Sequence, residues 1–485
     1  MPRKTWLSPN GNGYRIGNMF LKPKSRITTM PGSSWRAYQG RLQRAQRDAS
    51  QKQFVRRYLK FILPLIVVSV VVYLSISGSF GSFPDNPKET PQVVDRQTPS
   101  PKTEASMSFN KDDLHHFIDS RRITNSQDNS FEVQANGKRL LVQTSIDPSL
   151  QNYLIKKLDR KNSSQIAIVA MAPEDGRILT MVGFDKADPS KNPCTESAFP
   201  AASIFKIVTA AAAIEKCNLQ LDSVLKFNGR KHTLYRSQLK EKTNKYTNKI
   251  SLKNAFAKSV NPVFGKLGAL YLGKDELESY ARAFGFNHPI NFELPLSPSE
   301  TVITDEPYQW AEIASGFNRQ TKMSPVHGAL IAATIFNQGK LIEPTIVDRI
   351  VGEKGVELYR SQPITINQAV EPDTSNALHE LMTATTRSGT VRGAVRRYRR
   401  DKIISRLEIG GKTGTINNKT DDVKYDWFVG YAQDKDGDGK LILSVLVAHE
   451  KYIGIRATQY AIMAFKHYFK AHFAKSDKPH MSDPG

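Results

Sequence analysis

The sequence predicts an α+β protein in which an antiparallel sheet is covered by helices, a mostly helical lobe is inserted into the sheet, and one transmembrane helix comes first. Three observations carry this prediction. They are an uncharged apolar segment near the N-terminus, strand-like runs at both ends of the remaining chain, and a long region of helical character between them. Because the two groups of strands are far apart in sequence, the sheet must close around an inserted lobe.

The apolar segment is the first element in chain order. No residue in the range 61–84 is charged, and about 20 apolar residues suffice to span a bilayer. Residues 1–57 contain 13 Lys and Arg against the single acid Asp48, so the positive-inside rule places the N-terminus in the cytoplasm and everything after Ser77 outside. A cleaved signal peptide is the alternative, but its charged region would be unusually long and no A-x-A-like site follows. We therefore expect a single-pass protein of the cell (inner) membrane.

Composition then divides the chain. The stretch after the anchor is rich in proline and polar residues, which is typical of a stalk with little core. It leaves no room for a second enzyme domain. The predicted segments are a basic cytoplasmic tail (1–57), the transmembrane anchor (58–80), an extracytoplasmic linker or stalk (81–138), the main folded domain (139–473) and a flexible C-terminal tail (474–485).

The main domain has a coarse order of elements. Two strands are predicted near 165–184, a helix begins at Ser203, and a mostly helical region extends to about residue 390. The final elements are strands near 407–416, 426–433 and 441–449 and an amphipathic helix from about 455 to 473.

The formal net charge is +23, of which the N-terminal tail supplies 13 − 1 = +12. Part of the remainder is a basic cluster before the last three strands, which predicts either a solvated face or a surface that steers an anionic polymer or acidic peptide. Nucleic-acid binding is not expected, because the membrane segment divides the basic residues and no nucleic-acid motif accompanies them. The cluster consists of Arg392, Arg396, Arg397, Arg399, Arg400 and Lys402.

Cysteines and acidic residues give weaker signals. Cys194 and Cys217 flank the helix that begins at Ser203, on the side of the membrane where a disulfide is permitted, and two free or buried thiols are the alternative. The segment 434–439 begins like a calcium loop, but Val445 stands where a bidentate Glu is required, so a hairpin turn is predicted. The histidines lack zinc-ligand spacing. No metal and no cofactor are expected.

Three short motifs occur in fixed order: Ser203-Ile204-Phe205-Lys206, Ser259-Val260-Asn261 and Lys412-Thr413-Gly414. Residues three apart share one helix face, so the Lys206 amine can reach the Ser203 hydroxyl, and the helix N-terminus adds positive potential. This geometry pairs a nucleophile with its base. Each motif alone is common, but their joint order and flanking strands predict an acyl-transfer site.

With this motif triple the chain resembles the penicillin-binding proteins, the serine D,D-transpeptidases of cell-wall synthesis. The segments 143–151, 166–182 and 316–344 also look like parts of that family, so the resemblance covers roughly residues 140–473. It implies the fold shared with serine β-lactamases, a catalytic cleft between lobe and sheet, and residues 139–473 as the transpeptidase domain. It also implies a monofunctional enzyme, since the family's glycosyltransferase domain has no place here.

The resemblance further implies the catalytic roles. Ser203 attacks the carbonyl of a D-Ala-D-Ala bond and a neutral Lys206 accepts its proton, which requires a lysine pKa lowered by burial and by a neighbouring cation such as Lys412. Ser259 relays a proton to the leaving amine. Asn261 holds the substrate amide.

Substrate binding is implied for the strand that carries the third motif. Lys412, Thr413 and Thr415 bind the terminal carboxylate, with Gly414 between them in the binding segment. The backbone N–H groups of Ser203 and Thr415 form the oxyanion hole. The implied partners are peptidoglycan stem peptides, β-lactams, the membrane through one helix, and glycan-polymerising cell-wall proteins.

Three alternative functions stay open at this point. A D,D-carboxypeptidase uses water in place of an amine in the second step, and the motifs do not exclude it. A β-lactamase would need a deacylating base, and no E-x-x-L-N type segment lies between Asn261 and Lys412. A membrane-anchored β-lactam sensor or scaffold would need a cytoplasmic signalling or protease domain, which residues 1–57 do not resemble.

Overall fold

The computed structural model describes residues 108–477, apart from residue 136. The predicted cytoplasmic tail and anchor therefore lie outside the described residues. Within the described part of the chain, no helix combines the length and the apolar character that a membrane crossing requires.

A five-stranded antiparallel sheet forms the centre of the domain, in the order β13-β14-β15-β3-β4. Strands β3 and β15 are apolar along almost their whole length because helices cover both faces of the sheet. The prediction of two early and three late strands in one antiparallel sheet is confirmed. The strands of the domain are β1 (Ser130–Ala135), β2 (Lys138–Thr144), β3 (Ser163–Met171), β4 (Ile178–Asp185), β5 (Phe199–Pro200), β6 (Val224–Phe227), β7 (Asn248–Ser251), β8 (Lys322–Met323), β9 (Lys340–Ile342), β10 (Val347–Val351), β11 (Glu357–Arg360), β12 (Thr365–Gln368), β13 (Leu407–Asn417), β14 (Lys424–Asp434) and β15 (Lys440–His449).

Helices make up the two outer layers and the inserted lobe. The α-helices are α1 (Ser120–Ile123), α2 (Pro148–Ile155), α3 (Lys206–Cys217), α4 (Leu252–Ala257), α5 (Asn261–Lys266), α6 (Gly273–Ala283), α7 (Pro307–Ala314), α8 (Pro325–Phe336), α9 (Pro372–Ser388), α10 (Arg392–Arg396) and α11 (Ala457–Ser476). A π-helical segment, Leu267–Leu272, joins α5 to α6. Short 3-10 turns occur at Asp112–His116, Ala202–Phe205, Arg236–Leu239, Glu353–Gly355 and Ile404–Arg406.

The sheet separates two hydrophobic cores. On one face α8 packs against β3, β14 and β15, and the core continues into the lobe through α3. On the other face α2 and α11 cover the strands. The closing helix extends to Ser476, so the tail predicted to begin at residue 474 begins later. Asp477, directly after the helix, pairs with Arg406 at 3.0 Å and ties this extension to the domain.

The lobe contains strands that the periodicity did not predict. Strand β6 pairs with β7, β9 pairs with β12, and β10 pairs with β11, all antiparallel. Each of these strands has only three to five residues, which is too short for a period of two to stand out from a helical background.

The predicted stalk boundary is wrong for residues 108–138. Strands β1 and β2 join β10 and β11 in a second, four-stranded sheet, and Leu114 is fully buried in the same core as the lobe. Lys111 donates to the Glu343 carboxylate at 2.9 Å. The strand β10 that pairs with β2 lies some 200 residues later in the sequence, so local composition gave no sign of this pairing.

Two smaller predictions concern side chains outside the site. Cys194 and Cys217 are free thiols, and Cys194 is buried with its Sγ 3.3 Å from the carbonyl of Val182. The segment 434–439 is the hairpin turn between β14 and β15, in which the Asp434 amide donates to the Gly439 carbonyl at 2.8 Å. Among the described residues, no cluster of three or more His, Cys, Asp or Glu side chains is arranged to hold a metal ion.

Candidate active site

The Ser203 hydroxyl lies at the entrance of α3. It belongs to the 3-10 turn Ala202–Phe205, and the α-helix begins only at Lys206, three residues later than the sequence predicted. Two contacts fix the approach to this turn. The Trp427 indole donates to the Pro200 carbonyl at 2.9 Å, and the Ala201 amide donates to the Thr321 carbonyl at 2.9 Å.

Gly316 forms the floor under this turn. Its φ is +63°, and an added Cβ would lie 1.9 Å from the Ala202 carbonyl oxygen and 2.8 Å from the Ser203 amide nitrogen. A side chain at this position would therefore displace the nucleophile. Gly316 belongs to a segment that matched the family only by resemblance, and nothing in the sequence shows that this glycine touches Ser203.

Lys206 is completely buried and reaches three oxygen atoms. Its Nζ lies 2.8 Å from the Ser203 Oγ and 2.8 Å from the Asn261 Oδ1, and it also contacts the Ser315 carbonyl. Two of these partners can only accept hydrogen bonds. A neutral amine would give its two N–H groups to Asn261 and Ser315, and its lone pair would then face the Ser203 hydroxyl.

Electrostatics favour that neutral form. Burial lowers the pKa of Lys206 well below its ordinary value, and the positive charge of Lys412 lowers it further. The Phe264 ring lies 5.6 Å from the Lys206 Nζ and helps to exclude water from the fully buried amine. The neutral Lys206 expected from the sequence is therefore supported by this environment.

A second chain of contacts approaches Ser203 from the opposite side. The Ser259 Oγ lies 3.1 Å from the Ser203 Oγ, and the Lys412 Nζ donates to the Ser259 Oγ at 3.1 Å. Lys412 also donates to the Thr413 carbonyl at 2.9 Å and is completely buried beside the Phe256 ring. The site thus contains one continuous row of polar atoms from Lys412 through both serines to Lys206.

Asn261 is the first residue of α5, and its side chain connects the start of α3 to the loop that contains His232. Its Oδ1 accepts from Lys206, and its Nδ2 donates to the His232 carbonyl at 3.2 Å. Its backbone amide donates to the Lys231 carbonyl at 2.7 Å. A carboxamide has two N–H groups, so one remains for a substrate amide while the oxygen orients Lys206.

Strand β13 forms the edge of the sheet beside the nucleophile. An added Cβ on Gly414 would lie 3.1 Å from the Ala202 Cβ and 3.3 Å from the Ser203 amide nitrogen, which is tighter than an ordinary contact, so a side chain here would press on the turn that carries Ser203. The Thr413 Oγ1 donates to the Thr390 Oγ1 at 2.6 Å. Thr390 was not predicted as a site residue, because it lies in a loop after α9 with no motif around it.

Thr415 is oriented differently from Thr413. Its hydroxyl donates to the Asp426 Oδ1 at 3.3 Å, and since a carboxylate only accepts, the direction of this bond is fixed. In this arrangement the Thr415 hydroxyl has no proton left for a substrate carboxylate. The predicted carboxylate contact therefore falls first to Lys412, because the Thr413 hydroxyl likewise donates its proton, to Thr390, and each threonine can donate to a substrate only after its hydroxyl turns from its present acceptor.

The structure thus brings all eight predicted site residues to one place. It adds residues that sequence reasoning missed: Ser315, Gly316 and Thr390, which contact the predicted ones, and Phe256 and Phe264, which line the two lysines. A serine nucleophile beside a buried neutral amine, with a second lysine–serine pair opposite, is the arrangement of a serine acyltransferase.

Comparison with known proteins agrees with this class. Residues 166–465 match the penicillin binding protein transpeptidase domain. Since the match covers more than half of the chain, the chain belongs to the penicillin-binding protein transpeptidase family, and the resemblance drawn from the motifs is confirmed.

The individual relatives share only a minority of their residues with this chain. The chain is 27% identical over 352 residues to the peptidoglycan D,D-transpeptidase PbpA of Mycolicibacterium smegmatis and 27% identical over 327 residues to PbpA of Mycobacterium tuberculosis. These matches cover 63% and 60% of this chain, and they span 67% and 64% of the two relatives. The penicillin G acyl-enzyme complex of penicillin-binding protein A from M. tuberculosis shares the fold, with a TM-score of 0.54, 23% identity, and coverage of 68% of this chain and 80% of that chain.

The Lys206→Met variant tests the base. Methionine keeps most of the side-chain volume, and a buried amine without a carboxylate partner costs stability, so the variant should unfold at or above the wild-type temperature. Labelling of Ser203 by a fluorescent penicillin should nevertheless disappear. Lys216→Met, at the exposed end of the same helix, is the matched control and should label normally. If labelling of Lys206→Met survives within about tenfold, or roughly 1.4 kcal/mol of barrier, Lys206 is not the base.

The pH dependence tests the charge state of the two lysines. Acylation should rise as Lys206 loses its proton, at a pH well below that of an ordinary lysine. It should fall again as Lys412 loses its charge, because burial lowers the pKa of Lys412 to about 7. The second-order rate constant for penicillin acylation should therefore pass through a maximum.

A bound carboxylate should change only the alkaline side of this profile. A negative charge beside Lys412 favours its charged form, so the first-order acylation step of the bound complex should stay fast to a higher pH than the second-order constant. Thermal unfolding at each pH serves as the control for loss of structure. A second-order constant that keeps rising through pH 9 would contradict the assignment of Lys412 as a required cation.

Proposed function

We propose that this protein is a peptidoglycan D,D-transpeptidase that cross-links stem peptides through an acyl-enzyme on Ser203. One observation carries the proposal. The Ser203 hydroxyl lies between the amine of a buried Lys206 and the hydroxyl of Ser259, so a proton can leave on one side and be delivered on the other. Membership of the transpeptidase family and the peptidoglycan D,D-transpeptidase activity for which the relatives are named support the choice of substrate.

The first step forms the acyl-enzyme. The Ser203 Oγ bonds to the carbonyl carbon of the penultimate D-Ala of a donor stem peptide while its proton passes to the Lys206 Nζ. The C–N bond to the terminal D-Ala then breaks. The leaving amine takes a proton from the Ser259 hydroxyl, which is hydrogen-bonded to Lys412, and the proton held by Lys206 replaces it, so Lys206 is neutral again before the second step.

Charge is compensated at two points during this step. The substrate's terminal carboxylate pairs with Lys412 and with the Thr413 hydroxyl, whose proton turns from Thr390 to the substrate on binding. The developing oxyanion is bound by the backbone N–H groups of Ser203 and Thr415, and each such donor contributes about 3 kcal/mol to the stabilisation of a tetrahedral intermediate. The close approach of Gly414 to the Ser203 amide supports this pairing of donors.

The second step transfers the acyl group. The amine of an acceptor stem peptide attacks the ester carbon, its proton passes to Lys206, and the new amide forms as Ser203 regains its hydroxyl proton. A β-lactam would acylate the same oxygen, since its strained amide carries a carboxylate in the corresponding position. Its ring opening leaves the amine attached, which accounts for a stable acyl-enzyme.

The choice of acceptor is tested with a pentapeptide donor and an acceptor-rich polymerised glycan. The wild-type protein should release D-Ala and yield cross-linked dimer, and Ser203→Ala should yield neither product and no label from fluorescent penicillin. Mass spectrometry of the muropeptides separates the outcomes. Release of D-Ala together with trimmed tetrapeptide, but with no dimer, would identify a D,D-carboxypeptidase. Penicillin labelling without release of D-Ala would identify a sensor or scaffold.

The proposal includes a location at the inner membrane, with residues 58–80 as a single-pass anchor, the N-terminus in the cytoplasm and the catalytic domain outside. The uncharged segment and the basic tail support it. Protease added to intact spheroplasts should digest an epitope fused after Gly485 and spare one fused at Met1. The opposite pattern would overturn this topology.

The proposed partners are glycan-polymerising cell-wall proteins, because a cross-linking reaction between stem peptides needs glycan strands that a polymerising enzyme has made. The exposed basic cluster follows Thr390, which contacts Thr413 at the mouth of the site. This position supports a role in steering acidic stem peptides, with a solvated face as the simpler alternative.

A further inference from the structure

A cavity of about 290 Å³ lies behind the catalytic residues, at the far end of helix α5. Its floor is made by Val263, Lys266 and Leu267, which are buried, and its open side by strand β6 and the segment 241–243. Helix α5 begins at Asn261 and ends at Lys266, so roughly 8 Å of helix separate the cavity from the site.

Lys266 is the unusual group in this cavity. Its side chain is on a residue that is only 8% exposed, and among the described residues its Nζ has one hydrogen-bond acceptor, the Lys226 carbonyl at 3.3 Å. An ammonium group carries three N–H donors. No carboxylate lies within ion-pair distance of it in the described part of the chain. The Glu241 carboxylate, which accepts from the Tyr271 hydroxyl at 2.7 Å, favours the charged form of Lys266 from farther away without offsetting the effect of burial on its pKa.

The chemistry of the lining favours an anion with an apolar body. Lys226, Lys242 and Lys266 face the cavity together with one acid, Glu241, so its charge is positive. The floor beside Lys266 is aliphatic. Because burial lowers the pKa of Lys266, a bound carboxylate would restore a favourable environment for its charged form.

The wall of the cavity has a rare backbone form. Leu267 and Tyr271, which line it, belong to the π-helical segment Leu267–Leu272. Helices of this type are uncommon and are often found at functional sites. An added Cβ on Gly268 of this segment would lie 2.4 Å from the Ala314 Cβ, so the segment is tightly packed against the end of α7.

Two elements that line the cavity also carry or contact the residues that accept hydrogen bonds from the Lys206 amine. Helix α5 carries Asn261, and the π-helical segment contacts Ala314, which precedes Ser315. Asn261 and Ser315 are the residues whose oxygens bind the Lys206 Nζ. A ligand that holds both walls therefore fixes the geometry of the base.

We propose that this cavity binds a small aliphatic carboxylate through Lys266 and that its occupation accelerates acylation of Ser203. Binding is independent of the proposed transpeptidase function, while the acceleration rests on the acyl-enzyme chemistry. The two are measured separately, so failure of one is distinguishable from failure of the other.

Binding is tested on the full chain, purified in detergent, with sodium butyrate as the probe and butyramide as its neutral isostere. Sodium chloride at equal ionic strength controls for screening. Butyrate should raise the unfolding temperature in a saturable manner, and butyramide should not. An equal shift with butyramide, or no saturable shift with butyrate, overturns the proposal.

Two variants locate the effect. Lys266→Met keeps the volume of the side chain and should remove the butyrate shift, while Lys240→Met, a nearby exposed lysine that does not line the cavity, should retain it. If Lys266→Met fails to fold, Val224→Trp closes the entrance from a residue that is already 64% exposed and should also remove the shift. A shift that persists in a folded Lys266→Met or in Val224→Trp places binding elsewhere.

Acceleration is read from the rate of fluorescent-penicillin labelling. Butyrate should raise the wild-type rate by about twofold or more, which corresponds to a small change in barrier. Lys266→Met should label at the basal rate with and without butyrate. A wild-type rate that stays constant under saturating butyrate would reduce the cavity to a binding site without regulatory effect and would overturn the second half of the proposal.

Discussion

Two lysines buried beside the same pair of serines impose the central constraint on this domain. Lys206 and Lys412 are both inaccessible to solvent, and neither has a carboxylate within ion-pair distance among the described residues. Burying such amines costs several kcal/mol each unless they give up their protons. Two cations this close also repel each other, which lowers the pKa of Lys206 in particular. The chemistry of Ser203 depends on this unfavourable placement, since an ordinary lysine would be protonated at neutral pH and useless as a base.

The rest of the domain maintains that placement. The central sheet holds Lys412 on β13, helix α3 holds Lys206, and the inserted lobe holds Ser259 and Asn261, so three separate elements must meet within hydrogen-bond distance. A sheet that is covered on both faces resists relaxation, because movement of one strand would open both cores. The second sheet, which residues 108–138 help to build, extends the same core into the lobe. This explains why a segment that looks like a stalk is part of the catalytic unit.

One physical reason explains which parts of the fold and site could be predicted from the sequence and which could not. Motifs that depend on spacing within one element, such as Ser203 with Lys206, can be predicted from the sequence because helix geometry fixes the distance between the two side chains. The long strands of the central sheet can also be predicted, since each is a run of apolar residues that are consecutive in the sequence. Ser315, Gly316 and Thr390 act through contacts with residues distant in sequence, and their types are common everywhere. The pairing of β2 with β10 likewise arises only in the folded chain, and so the stalk boundary was placed too late.

Two residues close to the nucleophile have a strained backbone conformation. Ala202 has φ +49° and Ser259 has φ +54°, a region that residues with a Cβ enter only when the surroundings force them to, at roughly 1–3 kcal/mol each. Ala202 directly precedes the nucleophile Ser203, and Ser259 is itself a predicted catalytic residue. At Ala202 the left-handed turn directs the following Ser203 hydroxyl toward Lys206, and Gly316 supplies the space that this turn occupies. At Ser259 it brings the hydroxyl within reach of both Ser203 and Lys412. The strain is therefore located where two elements must present a short side chain at a fixed point, and the packed cores supply the free energy that keeps it there.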